Sequence, residues 1–530
     1  MSDRSPNFSS QILATRGLNG HRQYRIPALA VTTAGTVLAA YDGRPNLDDL
    51  PNTIDLLLRR STDHGLSWGA QLNIRTGTGL QGFGDPSLIV DQQTSRIFCF
   101  HAAGTHAGFF ESVEGIEPED AVQHVDLAYS DDDGLSWRYR RITEQLKRPG
   151  ITGIFAAAGA GIQLTQGRFA GRMLQQMVLL ENGVIKAASA YSDDHGQTWT
   201  LGESTAEEAN ENKVVELSDG RVLLNSRAPG HRVQAVSSDG GHSYGPLLPV
   251  PSLPDPGDNG SIFSIENDKP RPILLATNNR DSSLRRNTVL SVSFDAGTQW
   301  QPVASICPGS SAYSTGTRLA DGSLGVLLED SGYTNIVFAR LESAALSESS
   351  LRQAADTYTD LETGPFIMVL RSITPGQPEK WVNVGEFHVI SANAGEWGHH
   401  AWKEVGQGYA GGDQILGTRE AQEANYGAPK QSLRVGDILA FTGRFSNEGK
   451  SSLKVALNGN FDGDLDQQFP EAVVPPGKAI NFFTPTYTLT SADIRRGSAE
   501  VRCSLKAGDD SWHNNFVVDT ATGIIHPAPA

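Results

Sequence analysis

An eight-residue pattern that recurs five times is the feature that most constrains how this 530-residue chain folds. A short strand-like run precedes each copy and a second run follows it, which predicts that every octet is the turn of a β-hairpin. The copies begin at intervals of 45 to 69 residues, and a four-stranded propeller blade needs about 40–50 residues. The spacing therefore predicts a β-propeller with one octet per blade and loop insertions. The pattern Ser-x-Asp-x-Gly-x-x-aromatic occurs at Ser61–Trp68, Ser130–Trp137, Ser192–Trp199, Ser237–Tyr244 and Ser293–Trp300.

The residue types of the octet explain why it forms a turn. Its Ser and Asp side chains can accept hydrogen bonds from backbone N–H groups, its Gly can adopt a positive φ, and its aromatic ring can pack beneath the turn. Identical turns on different blades cannot all line one pocket. We therefore interpret the octet carboxylates as structural.

The chain after the last octet changes character twice. Strand-like segments continue to about residue 341, and a polar stretch that we predict to be helical covers 342–358. From about residue 430, short strand-like segments alternate with turn signals every ~8–12 residues, a pattern typical of an immunoglobulin-like β-sandwich. We predict an all-β protein with a propeller over 1–345, a linker or irregular region over 346–425 and a smaller immunoglobulin-like sandwich over 426–530.

The charge of the chain excludes several classes of partner. It carries 43 Lys+Arg against 60 Asp+Glu, a formal net charge of −17. Nucleic acids and anionic membranes bind basic surfaces, so we expect neither as a partner. The N-terminal residues lack the basic and apolar regions of a signal peptide, which predicts a cytoplasmic protein, or a secreted one if a leader is missing or export is non-classical. We expect a monomer.

Neither a metal nor a cofactor is predicted. The three cysteines lie far apart, and the histidines form none of the spacings typical of zinc sites. The segment 77–82 matches G-x-G-x-x-G, but a strand-like run follows it where a dinucleotide site needs a helix.

Candidate functional groups lie on short segments outside the octets. Equivalent ends of the inner strands of a propeller converge on its axis, so arginines from three blades could meet there. Three guanidiniums in one partly desolvated place repel one another unless an anion binds between them, and their planar forks match a carboxylate. Each arginine taken alone is better explained as a solvated or ion-paired surface residue, and only its occurrence together with the octet repeat favours a shared site. The segments are Tyr24–Pro27, Glu211–Val215, Asn225–Arg227, Arg285–Asn287 and the sequence around Tyr313.

The combination of Tyr24-Arg25-Ile26-Pro27, the octets (Asp boxes) and the later arginines resembles the bacterial exo-sialidases, or neuraminidases, of the glycoside hydrolase 33 type over about residues 18–341. The resemblance implies a six-bladed propeller that acts as a retaining exo-α-sialidase on sialylated glycans through a covalent tyrosyl-sialoside. A trans-sialidase or intramolecular trans-sialidase, and a non-catalytic sialoglycan-binding propeller, are alternatives. A lectin needs the arginines but no nucleophile and base, so Tyr313, Glu211 and an aspartate at position 48 or 49 argue against the last.

The resemblance also implies how the substrate carboxylate is held. Arg25, Arg227 and Arg285 correspond to the arginine triad of the family, with Arg286 as the alternative third member because it is adjacent in sequence.

The resemblance assigns the covalent chemistry to a tyrosine and a glutamate. Tyr313 corresponds to the nucleophile and Glu211 to its base, whereas Glu216, five residues later, is interpreted as a strand residue.

The remaining site residues follow the segment YDGRP. The resemblance implies Asp49 as the acid/base, with Asp48 as a rival, and it places Arg44 and Asp85 against the 4-hydroxyl and N-acetyl side of the sugar. Phe155 is implied as an apolar contact for the acyl group.

Overall fold

The structure, a computed structural model, describes residues 8–358 apart from 16–17, 22, 46–48, 267–271, 283–284, 331–332 and 334. Between 366 and 527 it describes separate strands, one helix and a few turn residues. The strands of the first part are β1 (Ser9–Thr15), β2 (Gln23–Val31), β3 (Val37–Arg44), β4 (Asp55–Ser61), β5 (Leu72–Arg75), β6 (Gly82–Val90), β7 (Ile97–Gly104), β8 (His124–Ser130), β9 (Arg138–Arg141), β10 (Ile151–Ala156), β11 (Gly159–Ala160), β12 (Ile162–Gln163), β13 (Met173–Glu181), β14 (Val184–Ser192), β15 (Thr200–Leu201), β16 (Asn212–Glu216), β17 (Val222–Ser226), β18 (Pro229–Ser237), β19 (Leu248–Pro256), β20 (Ser261–Glu266), β21 (Ile273–Asn279), β22 (Arg286–Ser293), β23 (Gln301–Arg318), β24 (Leu324–Asp330) and β25 (Asn335–Leu341). Its helices are α1 (Thr143–Leu146) and α2 (Glu348–Thr357), with 3₁₀ turns at Glu119–Ala121, Gly167–Phe169 and Ser343–Leu346.

These strands form six antiparallel blades, which confirms the predicted propeller. Blade 1 is β2–β5, blade 2 is β6–β9, blade 3 contains β10 and β13–β15, and blade 4 is β16–β19. The long strand β23 pairs with β22 in its first half and with β24 in its second, so it completes blade 5 (β20–β22) and begins blade 6. The N-terminal strand β1 pairs with β25. It therefore closes the ring as the outer strand of blade 6.

Each octet is the turn of a hairpin, as predicted, and it joins the third and fourth strands of one blade. In the first octet, the Ser61 hydroxyl donates to Asp63 Oδ1 (2.7 Å) and accepts from the Gly65 amide (2.8 Å). Asp63 Oδ1 also accepts from the Ser67 amide at 2.8 Å. The other four octets repeat these three bonds. Because the bonds need positive φ at His64 (59°) and Gly65 (82°), glycine is the favoured fifth residue.

The core lies in the seams between neighbouring blades. Trp68 of the first octet packs edge-on against Phe338 of blade 6 (4.9 Å between ring centroids), and Trp199 of the third octet packs against Phe100 of blade 2 (4.7 Å). Apolar residues of β6–β8 and of β10, β13 and β14 form one continuous buried cluster in the seam between blades 2 and 3. The octet aromatics thus stabilise contacts between blades as well as the turns.

Strand register places the octets and the candidate site at opposite ends of the propeller. In the β3–β4 pair, Val37 lies opposite Ser61 of the first octet, and Gly43 lies opposite Asp55 at the other end. Arg25 pairs with Asp42 near that second end. We call it the site end.

Helix α2 packs against the core of blades 5 and 6. Leu351 and Ala354 are buried in the same cluster as Leu324 and Leu275 of blades 6 and 5. The helix lies in the polar stretch predicted to be helical. No helix in the described part of the chain is both long and apolar enough to span a membrane.

Beyond residue 358, the described strands form three small sheets. The predicted linker over 346–425 and the sandwich over 426–530 fall largely on residues outside those described, so these boundaries and the immunoglobulin-like topology stay predictions. The elements are β26 (Phe366–Ile367), β27 (Val369–Ile373), β28 (Trp381–Glu386), β29 (Ile438–Leu439), β30 (Thr442–Ser446), β31 (Leu453–Phe461), β32 (Asp464–Gln468), β33 (Ala472–Val474), β34 (Ala479–Phe483), β35 (Tyr487–Thr488), α3 (Ser491–Arg496), β36 (Ser498–Ala507), β37 (Asp510–Asp519) and β38 (Ile525–Pro527).

Candidate active site

A tyrosine, a glutamate and an arginine from two blades meet at the site end. Tyr313 lies on β23 in blade 6, Glu211 directly precedes β16, and Arg227 directly follows β17 of blade 4. The Tyr313 hydroxyl donates to Glu211 Oε2 at 2.6 Å. Arg227 Nη1 donates to the same oxygen at 2.6 Å and to the Tyr313 oxygen at 2.9 Å. The phenol therefore lies within hydrogen-bond distance of both a base and a cation.

Two further arginines flank the ring of this tyrosine. The guanidinium carbons of Arg25 (β2, blade 1) and Arg285 (directly before β22, blade 5) each lie 5.2 Å from the Tyr313 ring centroid. Both arginines are buried. The structure thus brings together the three predicted arginines, one from each of three blades. Arg286 begins β22, and its side chain lies outside the described residues.

The surroundings keep the Tyr313 hydroxyl protonated. Burial and the neighbouring Glu211 charge raise its pKa well above the usual value for a phenol, and the positive charges of Arg227, Arg285 and Arg25 offset this only in part. A protonated phenol is a poor nucleophile without a base. Glu211 is the carboxylate in hydrogen-bond contact with it, so this pair has the geometry of an activated nucleophile.

Sequence reasoning missed Glu329, which anchors both Arg25 and the Tyr313 strand. This β24 residue is fully buried, and its two oxygens accept from Arg25 Nε (3.1 Å) and Nη2 (3.4 Å). They also accept from the backbone amides of Ile26 (2.7 Å) and Tyr313 (3.2 Å). The available signal was a carboxylate at the end of the apolar run 325–328. Such a residue is rarely fully buried unless it is paired.

A second group of charged residues lies beside blade 1. Arg44 is buried, and its Nε and Nη2 donate to Asp42 Oδ2 at 3.0 and 2.7 Å. Its Nη1 donates to Asp49 Oδ1 at 2.7 Å. Asp42, which sequence reasoning also missed, further accepts from the Asp85 amide at 3.2 Å. Arg44 and Asp42 therefore join the Asp49 segment to β6.

The three carboxyl groups of this cluster titrate differently. For Asp49, burial opposes ionisation, but the charges of Arg44 and Arg25 prevail and lower the pKa. Burial raises the pKa of Asp42 to about 7 against the effect of Arg44. Burial, together with the charges of Asp42 and Asp49, raises the pKa of Asp85 well above its usual value. The Asp49 side chain is 43% exposed, whereas the side chains of Arg44 and Asp42 are fully buried.

Strained backbone occurs at this end of the propeller, as it does in the octets at the other end. Ile26, Asp85, Asn287 and Tyr333 have φ between 56° and 63°. A positive φ is uncommon outside glycine, and for a β-branched or bulky residue it is a genuine outlier. Such residues concentrate at functional sites, where the surrounding structure holds them. Sequence reasoning gave no indication of them.

The structure also describes Phe155, the predicted apolar contact. Phe155 is half-buried, packs with Leu50 and Ile54 of the segment that follows Asp49, and lies 5.1 Å from the Phe109 ring. Asp48 lies outside the described residues.

Glu216 ends β16, as interpreted from the sequence. Its carboxylate accepts from the backbone amides of Thr165 (2.7 Å) and Gln166 (2.9 Å). Among the residues that the structure describes, no group of three or more His, Cys, Asp or Glu side chains is arranged to hold a metal ion.

Comparison with known families agrees with this architecture. The model of the family described as "BNR repeat-like domain" matches residues 35–326, more than half of the chain. The chain belongs to this family. The BNR match covers the five octets and ends within β24, so it coincides with most of the propeller.

Relatives of this BNR protein confirm its resemblance to the exo-sialidases. A "Sialidase" of Micromonospora viridifaciens is 45% identical over 64% of this chain and 55% of its own length. A "Sialidase" of Bacteroides fragilis is 29% identical over 58% of this chain and 60% of its own length. The solved structure of the "Hadza microbial sialidase Hz136" superposes with a TM-score of 0.58 at 26% identity, covering 64% of this chain and 69% of that one. This chain thus spans a little over half the length of the two curated relatives.

Proposed function

We propose that this protein is a retaining exo-α-sialidase that hydrolyses terminal sialic acid from glycoconjugates through a covalent tyrosyl-sialoside. The observation that carries the proposal is the Tyr313–Glu211 hydrogen bond of 2.6 Å, surrounded by Arg25, Arg227 and Arg285. The 45% identity to a sialidase supports the substrate class.

The three arginines bind the carboxylate of the substrate and so orient the sugar. Sialic acid carries a carboxylate on its anomeric carbon, and guanidinium forks pair with carboxylates through short, charge-assisted hydrogen bonds. An anion also relieves the repulsion among three cations that lie close together. The bound carboxylate therefore fixes the anomeric carbon beside Tyr313.

The substrate carboxylate explains why the nucleophile is a phenol. Most glycosidases use two carboxylates, and sialidases with a tyrosine nucleophile are an exception. An attacking carboxylate would approach the negative charge of the substrate, whereas a protonated phenol approaches as a neutral group. As the Tyr313 oxygen bonds to the anomeric carbon, its proton passes to Glu211 Oε2. The bond from that carbon to the glycosidic oxygen breaks, and this oxygen takes a proton from Asp49.

The second step reverses the roles of the same groups. Asp49, now ionised, takes a proton from a water molecule that attacks the anomeric carbon. The Tyr313 oxygen leaves and recovers its proton from Glu211. Each displacement inverts the anomeric centre, so the product keeps the configuration of the substrate.

Substrate binding prepares Asp49 to act as the acid. In the free protein the charges of Arg44 and Arg25 favour the ionised form of Asp49. The carboxylate of the substrate offsets the charge of Arg25, and contact of Arg44 with the sugar would weaken its hold on Asp49. Both changes raise the pKa of Asp49 towards the range in which it carries a proton.

A direct assay separates this proposal from its alternatives. The wild-type protein should release both the aglycone of a fluorogenic sialoside and sialic acid from sialyllactose. Binding of sialic acid without turnover would indicate a lectin. Appearance of a 2,7-anhydro sugar, or of a newly sialylated acceptor in place of free sialic acid, would indicate an intramolecular trans-sialidase or a trans-sialidase.

Asp49→Asn should separate substrates by their leaving groups. With sialyllactose, whose leaving alcohol needs a proton, we expect kcat/KM to fall about 10²–10⁴-fold, the usual contribution of general acid catalysis. With an activated aryl sialoside the fall should be within about tenfold, because kcat/KM reports the first step and this leaving group departs as an anion. Asp48→Asn is the matched control. If it shows the selective loss in place of Asp49→Asn, the acid is Asp48.

A further inference from the structure

Tyr333 lies between two arginines of the triad. It is in the turn between β24 and β25, and 2% of its surface is exposed. Its ring centroid lies 4.5 Å from the guanidinium carbon of Arg25, and its hydroxyl oxygen accepts a hydrogen bond from Arg285 Nη1 at 3.0 Å. One side chain therefore contacts arginines of blade 1 and blade 5.

The backbone of Tyr333 is held in a conformation that disfavours an aromatic residue. Its φ is 63°, in the left-handed region where glycine or asparagine is usual. Such a conformation is energetically unfavourable and persists only where surrounding contacts fix it. Gln23 supplies one of these contacts by donating from Nε2 to the Tyr333 carbonyl oxygen at 2.5 Å. The conformation of the turn therefore does not explain why a tyrosine occupies this position.

We propose that Tyr333 is a positioning residue that sets Arg25 and Arg285 to bind one carboxylate. Two guanidiniums that must face the same anion repel each other while the site is empty. A neutral ring offers its face to the first guanidinium and its oxygen to the second. Tyr333 therefore bridges the two arginines without adding a charge to those of Glu329, which pairs with Arg25, and Asp258, whose Oδ1 lies 3.6 Å from Arg285 Nε. Glu329 also accepts from Arg25, whereas Tyr333 contacts both Arg25 and Arg285.

The inference rests on the proposed function, since it concerns recognition of the substrate carboxylate. It assigns Tyr333 no contact with the reacting atoms. Its expected effect is therefore on binding of the carboxylate rather than on the chemical step.

The test is Tyr333→Phe, which removes the hydroxyl and keeps the ring. We expect KM for the fluorogenic sialoside to rise about tenfold, as for one lost hydrogen bond to a charged group, with kcat within about twofold. Calorimetric titration with sialic acid and with its C1 methyl ester gives the decisive readout. The preference for the acid over the ester should fall by about the same factor as the affinity for the acid.

A matched control separates positioning from a general structural effect. Tyr244→Phe also removes a tyrosine hydroxyl with a hydrogen bond, to Ser189 Oγ at 2.7 Å, but at the octet end of blade 4. It should leave KM and the acid-to-ester preference unchanged. If Tyr333→Phe keeps its KM and preference, or lowers kcat with the preference intact, the inference is wrong. If the wild type binds the acid but hydrolyses nothing, the proposed function fails while the titrations still test Tyr333.

Discussion

Tyr313→Phe is expected to lower kcat/KM for any sialoside by about three orders of magnitude or more, the scale on which removal of one member of a catalytic unit acts. The substitution deletes the oxygen that would bond to the anomeric carbon and accepts from Arg227. It keeps the ring that lies 5.2 Å from Arg25 and Arg285. Affinity for sialic acid should therefore change much less than turnover. Initial rates with the fluorogenic sialoside and calorimetry with sialic acid measure the two effects.

Tyr41→Phe is the matched control for the loss of a buried tyrosine hydroxyl. Tyr41 lies on β3, and its hydroxyl donates to Gln71 Oε1 at 3.1 Å, away from the arginine triad. Its removal should leave kcat/KM within about threefold of the wild type, the effect of a modest loss of hydrogen bonding. Full activity of Tyr313→Phe would show that another group attacks the sugar.

Glu329→Gln is expected to destabilise the propeller by about 3–5 kcal/mol, because it breaks a buried ion pair by removing one charge. Arg25 and Glu329 are 2% and 0% exposed, so water does not replace the lost interaction. The amide also places an N–H₂ group where the carboxylate accepts from Arg25 and the Tyr313 amide. The free energy of unfolding from guanidinium titration measures the effect.

An exposed ion pair provides the control for this substitution. Arg352 and Glu348 pair across one turn of α2 at 2.9 Å, with side chains 54% and 46% exposed. Glu348→Gln should change the free energy of unfolding by only about 0.3–0.5 kcal/mol. A loss of less than 1 kcal/mol for Glu329→Gln would contradict the anchoring role assigned to that carboxylate.

The blades could be predicted because their signal is local. The bonds among Ser61, Asp63 and Gly65 lie within five residues. The sequence pattern is therefore enough to predict the turn. The sixth blade could not be located in this way: it combines part of β23, β24 and β25 with the N-terminal strand β1. Its pairing joins residues more than 300 positions apart.

The functional residues likewise fall into two groups, those that a local motif reveals and those whose role depends on the folded ring. Arg25, Arg227 and Tyr313 are found through motifs, yet their distances depend on ring closure, which no local pattern encodes. Glu329 and Tyr333 were missed because each looks ordinary in sequence, one as the polar end of a strand and the other as a turn residue. Their importance comes from burial against charges that other blades supply.

Trapping the covalent intermediate tests the central claim most directly. A sialosyl fluoride that carries a second fluorine at C3 forms the glycosyl-enzyme quickly, because fluoride leaves readily. The adduct decays slowly, because the C3 fluorine disfavours the oxocarbenium-like transition state. Mass spectrometry of the digested protein should find the added sugar on the peptide that contains Tyr313, and Tyr313→Phe should remain unlabelled. Active enzyme without an adduct, or an adduct on Asp49 or Glu211, would contradict the account.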